Sequence, residues 1–179
     1  MYLDVIANDD RSDKDREQLQ RLNAAVYPPG DSTDNPGAGL SWARTERSVV
    51  VRITVDGDIV AHAGVLTRRC LHNDRPVRIG GIGGVKTHPE IRNSGLGRQV
   101  MTRAAEILRD DLAADFGLLV CPVSAAGFYE RLGWRAFSGE LWIDQPAGRT
   151  LFTINQVKVL PLRGEAPVSG TIDLCGFPW

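Results

Sequence analysis

The sequence predicts a mixed α/β (α+β) fold built on a mostly antiparallel sheet, and three observations carry that prediction. Two β-branched runs, "SVVVRITV" and "DIVAHAGVLTRRCL", are joined by Asp56-Gly57, a strong two-residue hairpin signal. Residues 12–29 and 96–112 instead carry apolar residues at helical spacing. A third apolar run, "FGLLVCPV", reads as a buried strand that follows the second helix. The order is strand, helix, antiparallel meander, helix, strand, helix, strands, with no internal repeat and one domain over residues 1–179.

Each element has a local reason. Tyr2–Ala7 reads as the first strand. Ser12 opens "SDKDREQLQRLNAAVYPP" with Asp15 three residues on, the spacing of a capping box. Leu19, Leu22 and Val26 share one helical face, and Pro28-Pro29 ends the helix. Residues 30–42, "GDSTDNPGAGLSW", form a polar, glycine-rich loop long enough to suggest a function. After the hairpin, residues 72–76 make another turn, and "VRIGGIGGVKTH" supplies the third strand of the meander. Leu96, Val100, Ala104, Ile107, Leu108 and Leu112 mark the next helix. "SAAGFYERLG" is a short helix stopped by Gly133. "WRAFSGELWI" and "TINQVKVLPL" give two final strands. The tail "SGTIDLCGFPW" reads as irregular yet anchored, because it closes on Trp179.

Composition narrows the function classes. A net charge of -1 argues against nonspecific nucleic-acid binding, which needs a strong basic excess. No apolar run approaches the roughly 20 residues of a membrane span. The acidic start "MYLDVIANDDRSDKD" lacks the blocks of a signal peptide. Cys70, Cys121 and Cys175 are widely spaced with no C-x-x-C pair, which suits thiols in a reducing cytosol better than a disulfide frame or zinc site. A cytoplasmic protein without a metal is expected.

The chemistry-bearing stretch is glycine-rich. Four glycines in "IGGIGGVKTH", residues 79–88, precede "IRNSGLGRQV", residues 91–100. Glycine beside arginine at a helix start signals backbone approach to an anion. A P-loop is missing, because Val85 stands where Lys86-Thr87 would need a preceding glycine. A dinucleotide fingerprint starting at Gly81 or Gly95 fails at Lys86 or Val100. What fits is R-x-x-G-x-G, Arg92-Asn93-Ser94-Gly95-Leu96-Gly97, leading into the second long helix. Taken alone, that motif suits an anion-binding nest and a plain turn equally well.

A second block extends the match. With "AAGFYERLGW", residues 125–134, the chain resembles the GCN5-related N-acetyltransferases (GNAT superfamily) over nearly its whole length. That family's pyrophosphate loop is [QR]-x-x-G-x-[GA], and its A-x-x-x-Y-x-x-x-G-[FW] segment places a tyrosine at Tyr129. The resemblance implies a GNAT fold, with a V-shaped splay after the third meander strand and helices on both faces. It implies acetyl-CoA (coenzyme A) as cofactor and direct transfer of acetyl from a thioester to an amine in a ternary complex. By resemblance, Arg92, Asn93, Ser94, Gly95, Leu96, Gly97 and Arg98 hold the diphosphate, and pantetheine pairs with Val85, Lys86 and Thr87. The Val85 N–H is then the oxyanion donor, and Tyr129 gives a proton to the departing thiolate. One departure is Pro122, where the family usually has an asparagine seven residues before the tyrosine, which weakens a side contact to pantetheine.

The acceptor is implied by a narrower resemblance. "IVAHAGVLTRR", residues 59–69, looks like the corresponding strand of aminoglycoside 2′-N-acetyltransferases, whose short acidic tails also end in tryptophan, as "IDLCGFPW" does. "GLSWAR" and the A-H-x-G strand also resemble the nodulation acyltransferases, which load fatty acyl groups onto a chitooligosaccharide amine. Both relatives acylate an amino sugar. A small-molecule amino sugar is therefore the expected substrate, an aminoglycoside or a smaller kasugamycin-type compound. Antibiotic resistance by inactivation is the implied role. Asp31, Asp34, Trp42, Gly83, Asp144, Asp173 and Trp179 are the expected acceptor-side residues, with Trp179 also catalytic. Gly83 stands where the aminoglycoside enzymes carry a glutamate, leaving a water, the free carboxylate of Trp179 or a loop aspartate to take the amine's proton. His62, in an alternating apolar strand, reads as a hydrogen-bonded structural residue. A protein or other small-amine acetyltransferase, or a noncatalytic acyl-CoA-binding module, would keep the same loop. Nucleic acid and membrane are not expected as partners, and a homodimer is left open.

Overall fold

The structure, a computed structural model, describes residues 1–28, 39–43 and 49–179. Local signals account for its first half. Strand β1 (Tyr2–Ala7) leads through a 3-10 turn to helix α1 (Asp13–Val26), where Ser12 and Asp15 form the expected reciprocal capping box. The buried stripe of α1 is Gln18 and Leu22. Gln18 is a polar residue that apolar periodicity passes over, and it is buried because its Nε2 donates to the Gly57 carbonyl in the neighbouring hairpin.

That hairpin joins β2 (Val49–Val55) to β3 (Asp58–His72). Asp56 (φ 50°) and Gly57 (φ 91°) both adopt the positive φ of a tight primed turn. A second such turn, at Asn73 (φ 48°) and Asp74 (φ 63°), leads to β4 (Arg75–Thr87). The turn is shorter than the expected 72–76, so Pro76 lies inside the strand.

Helix α2 (Leu96–Glu106) gives way to a π-helical turn over Ile107–Asp111, where a single helix to Leu112 was expected. The wider turn keeps both Ile107 and Leu108 buried. Strand β5 (Phe116–Cys121) follows, then α3 (Ala126–Glu130), which terminates near Gly133 at φ 87°.

The last third differs most from expectation. Five strands replace two: β6 (Arg135–Ala136), β7 (Glu140–Gln145), β8 (Gly148–Leu151), β9 (Gln156–Pro161) and β10 (Thr171–Asp173). Gly139 interrupts the first expected strand, because it passes so close to Gly170 that no side chain would fit. The tail is not wholly irregular either. Its β10 inserts between β3 and β7, antiparallel to the first and parallel to the second.

The ten strands of the described residues form one mixed, mostly antiparallel sheet in the order β6-β9-β5-β4-β3-β10-β7-β8. Strand β2 shares the other edge of β3 with β10 and carries β1 outside it. The parallel pairs are β4 with β5 and β10 with β7. Strands β4 and β5 pair only from Ile79/Phe116 to Gly81/Leu118. Beyond that point β4 continues to Thr87 and β5 to Cys121 without pairing to each other, which is the expected V. Successive strand residues face opposite sides. A Cβ on Gly80 would meet Leu108, and one on Gly81 would meet Trp179. The helix α2 side and the tail therefore cover opposite faces at the apex of the V. No helix among the described residues is long and apolar enough to cross a membrane, and no group of metal-ligating residues occurs among them.

Candidate active site

The turn after β4 leaves backbone donors open at a helix start. A 3-10 segment, Pro89–Ile91, is followed by Asn93 at φ 65° and Gly95 at φ 86°, while the Ser94 hydroxyl donates to the Ile91 carbonyl at 2.6 Å. Helix α2 starts at Leu96 with no side-chain cap, and its first turn closes with Gln99 N–H on Gly95 O at 3.1 Å. The N–H groups of Leu96, Gly97 and Arg98 therefore point out of the helix end with its positive dipole. Arg92 and Arg98 are exposed beside them. A Cβ on Gly95 would meet nothing within 4 Å, so the turn opens outward to free space. This donor set fits the diphosphate of coenzyme A. Gly97 has a different job: a Cβ there would lie 3.1 Å from Thr87 Oγ1 and 3.4 Å from the Phe128 ring. It lets the turn, the end of β4 and α3 meet.

Strand β4 carries a feature that sequence reading missed. His62 faces Lys86 and Gly64 faces Gly83, so Gly84 and Val85 together oppose Ala63 alone. This is a β-bulge, with Gly84 at φ 61°. Fully buried His62 donates from Nδ1 to the Gly84 carbonyl at 2.8 Å and holds the bulge in place. The extra residue re-aims the backbone at Val85, the position expected to supply the oxyanion donor. The glycine pair at 83–84 was the available signal, since glycine in a strand interior often marks a bulge.

Tyr129 lies on α3, buried, with ring centroids of Phe128 and Trp134 at 5.0 and 6.4 Å, both edge-on. It belongs to the apolar cluster that includes Leu96 and touches Val85 and Phe128. The fold thus brings the tyrosine, the turn and the end of β4 together. Burial, with smaller contributions from Cys121 and Tyr27, pushes the Tyr129 phenol well above its usual pKa. Lys86 and Thr87 are half-buried at the strand end.

The tail closes on the other side of β4. Trp179 is buried, and its Nε1 donates to the Leu118 carbonyl at 3.2 Å, beside the last β4–β5 pair. Its main-chain carboxyl carbon lies 3.1 Å from where a Cβ on Gly83 would be. Arg68 sits 5.2 Å over the indole and donates to the Phe177 carbonyl at 2.8 Å. Arg68 was not foreseen as part of this end.

The remaining acceptor-side candidates gather around the tail. Ala43 N–H reaches the Pro178 carbonyl at 2.7 Å, and neighbouring Trp42 packs edge-on against Phe152 at 6.2 Å. Asp144 donates its N–H to the Gly176 carbonyl at 2.9 Å and is half-buried. Asp173 is already engaged, accepting from Arg149 Nε at 2.6 Å and from Cys175 N–H at 2.8 Å. Asp31 and Asp34 lie outside the described residues.

Comparison with known proteins shows the family and the fold. The family model described as an acetyltransferase (GNAT) domain matches residues 11–137. An aminoglycoside 2′-N-acetyltransferase of Mycolicibacterium fortuitum is 29% identical over 146 residues, 82% of this chain and 71% of that protein. Among solved structures, a GNAT family acetyltransferase from Brucella melitensis in complex with acetyl-CoA superposes with a TM-score of 0.61 at 16% identity, over 96% of this chain and 94% of that one. The ribosomal-protein-S18-alanine N-acetyltransferase of Escherichia coli gives 0.56 at 15% identity, over 92% and 96%. These structural likenesses concern the fold.

Proposed function

The chain belongs to the acetyltransferase (GNAT) family, and from that premise we propose that it acetylates an amino group of an amino sugar, the 2′-amine of an aminoglycoside being the leading case. As a family member it is an acetyl-CoA-dependent N-acetyltransferase. The observation that carries the finer reading is its likeness to an aminoglycoside 2′-N-acetyltransferase over 82% of the chain. The packing of the tail against Gly83 supports it.

Acetyl-CoA, when bound, supplies an acyl group activated as a thioester. The N–H groups of Leu96, Gly97 and Arg98, with Asn93, Ser94, Gly95 and the Arg92 guanidinium, hold its diphosphate. Val85, Lys86 and Thr87 offer backbone groups to its pantetheine. The Val85 N–H, aimed by the bulge, donates to the oxygen on which charge develops. Tyr129 holds a proton on Oη for the departing sulfur, as any phenol does at neutral pH, and burial extends that neutral form to higher pH. On the acceptor side Gly83 brings no base, and Trp179 occupies the space beside it. Asp144 and Trp42 complete that end, where a carboxylate pairs with a sugar ammonium. Acetylation removes one positive charge from a polycation, and this is the basis for a role in antibiotic resistance.

The deciding experiment is a turnover screen with acetyl-CoA over aminoglycosides, kasugamycin, polyamines and peptides, with product regiochemistry read by NMR. Turnover of an amino sugar at one amine is expected. Turnover of peptides or polyamines alone overturns the assignment of acceptor.

A further inference from the structure

We propose that Trp179 limits the length of the acyl group this enzyme accepts, by stoppering the closed end of the V between β4 and β5. The inference rests on the cofactor placement above, with the diphosphate at the Gly95 turn and pantetheine along the end of β4. On that placement the acyl group points from Val85 back toward Gly83 and Gly81, into the narrowing angle between the strands.

That angle is filled from both faces. On one, the Trp179 indole bonds Leu118 O at 3.2 Å, and a Cβ on Gly81 would lie 2.6 Å from Nε1. On the other, a Cβ on Gly80 would lie 2.6 Å from Leu108 Cδ2. The indole is also fixed. Arg68 covers it at 5.2 Å and ties down the Phe177 carbonyl, leaving Trp179 only 7% exposed. A methyl group asks least of this space. Each further methylene must displace a packed aromatic ring and break its bond to Leu118, the kind of overpacking that a fixed core resists. Glycine at 81 and 83 is required for the same reason, since a side chain at either position would compete with Trp179.

Calorimetric titration with free coenzyme A, acetyl-CoA, butyryl-CoA and hexanoyl-CoA reads this floor without needing the acceptor. The wild-type protein should bind acetyl-CoA at least as tightly as free coenzyme A, and hexanoyl-CoA about tenfold more weakly or worse, the scale on which apolar pockets discriminate methylenes. Trp179→Phe keeps an aromatic ring in place while removing the indole N–H and part of its bulk. It should narrow the gap to about threefold. Trp179→Ala, if its melting curve shows a folded protein, should narrow it further. Wild-type affinities independent of acyl length overturn the inference, as does an unchanged gap in folded Trp179→Phe. Failure of folded wild type to bind any of the four ligands removes the cofactor placement itself, and the inference with it.

Discussion

Tyr129 and His62 show how much one side chain depends on its surroundings here. Burial raises the pKa of Tyr129, so the neutral phenol is favoured and persists above its ordinary value of ~10. Any loss of kcat between pH 7 and about 10 should therefore trace to another group. Tyr129→Phe should lower kcat by about 10- to 10³-fold and leave acetyl-CoA affinity nearly intact. A normal kcat, with chemistry shown to be rate-limiting, removes Tyr129 from the mechanism. His62 acts at one remove, through the carbonyl of Gly84. His62→Leu leaves that carbonyl without this donor and lets the bulge relax. We expect kcat to fall by about 10- to 100-fold, with the Kd for acetyl-CoA within about threefold, because a misaimed donor costs more in catalysis than in binding. Partial recovery in His62→Asn, which can again donate, separates positioning from simple loss of packing.

At the scale of elements, two helix starts use opposite devices. Helix α1 is capped by its own sequence. Burial pushes the Asp15 carboxyl up, but its bonds from Ser12 and Arg52 outweigh this and hold it below the usual aspartate range. A lowered carboxylate pKa contributes stability above the unfolded value of ~3.9, and that contribution is lost as pH falls below it. Ser12→Ala should cost about 1 kcal/mol, a drop of about 2–4 °C in a neutral-pH melt that shrinks toward acid pH. Helix α2 has no side-chain cap, which leaves its N–H groups for a ligand. Its two glycines serve different ends. Gly95→Ala meets open space but must hold φ near 86°, so it should cost about 1–2 kcal/mol of stability. Gly97→Val presses on Thr87 and Phe128, parting the turn from β4 and α3, and should weaken acetyl-CoA binding by about tenfold or more. Equal affinities for wild type and a folded Gly97→Val protein would contradict the site.

Across the whole molecule, the tail joins elements distant in sequence. Strand β10 bridges β3 and β7, and Trp179 reaches Leu118 while Phe177 is held by Arg68. Loss of a buried tryptophan alone costs about 3–5 kcal/mol. Deleting residues 177–179 should therefore lower the melting temperature by roughly 10 °C, in addition to any effect on acceptor KM. An unchanged melting temperature would mean that the tail serves the site and not stability. The same connection satisfies a backbone group at the apex of the V, where two parallel strands part: the indole N–H donates to Leu118 O.

What the sequence determined by itself was everything encoded within a few residues. The turn at Asp56-Gly57, the Ser12/Asp15 capping box, the stop at Gly133 and the R-x-x-G-x-G entry to α2 each depend on the φ preference or reach of neighbouring side chains. Such preferences act in the unfolded chain as well, and they survive into the fold. Tertiary structure decided the rest. Three residues of β10 are too few to show a pattern, and they become a strand only because β3 and β7 supply partners. Gln18 is buried because a hairpin carbonyl faces it, and Gly139 breaks a strand because Gly170 passes there. The Gly84 bulge requires a count across two strands, which no single run of residues contains. Trp179 and Gly83 lie far apart along the chain and meet only when β4 and β5 diverge. Contacts of that range follow from which surfaces remain to be buried once local structure has formed, and that is a property of the assembled sheet.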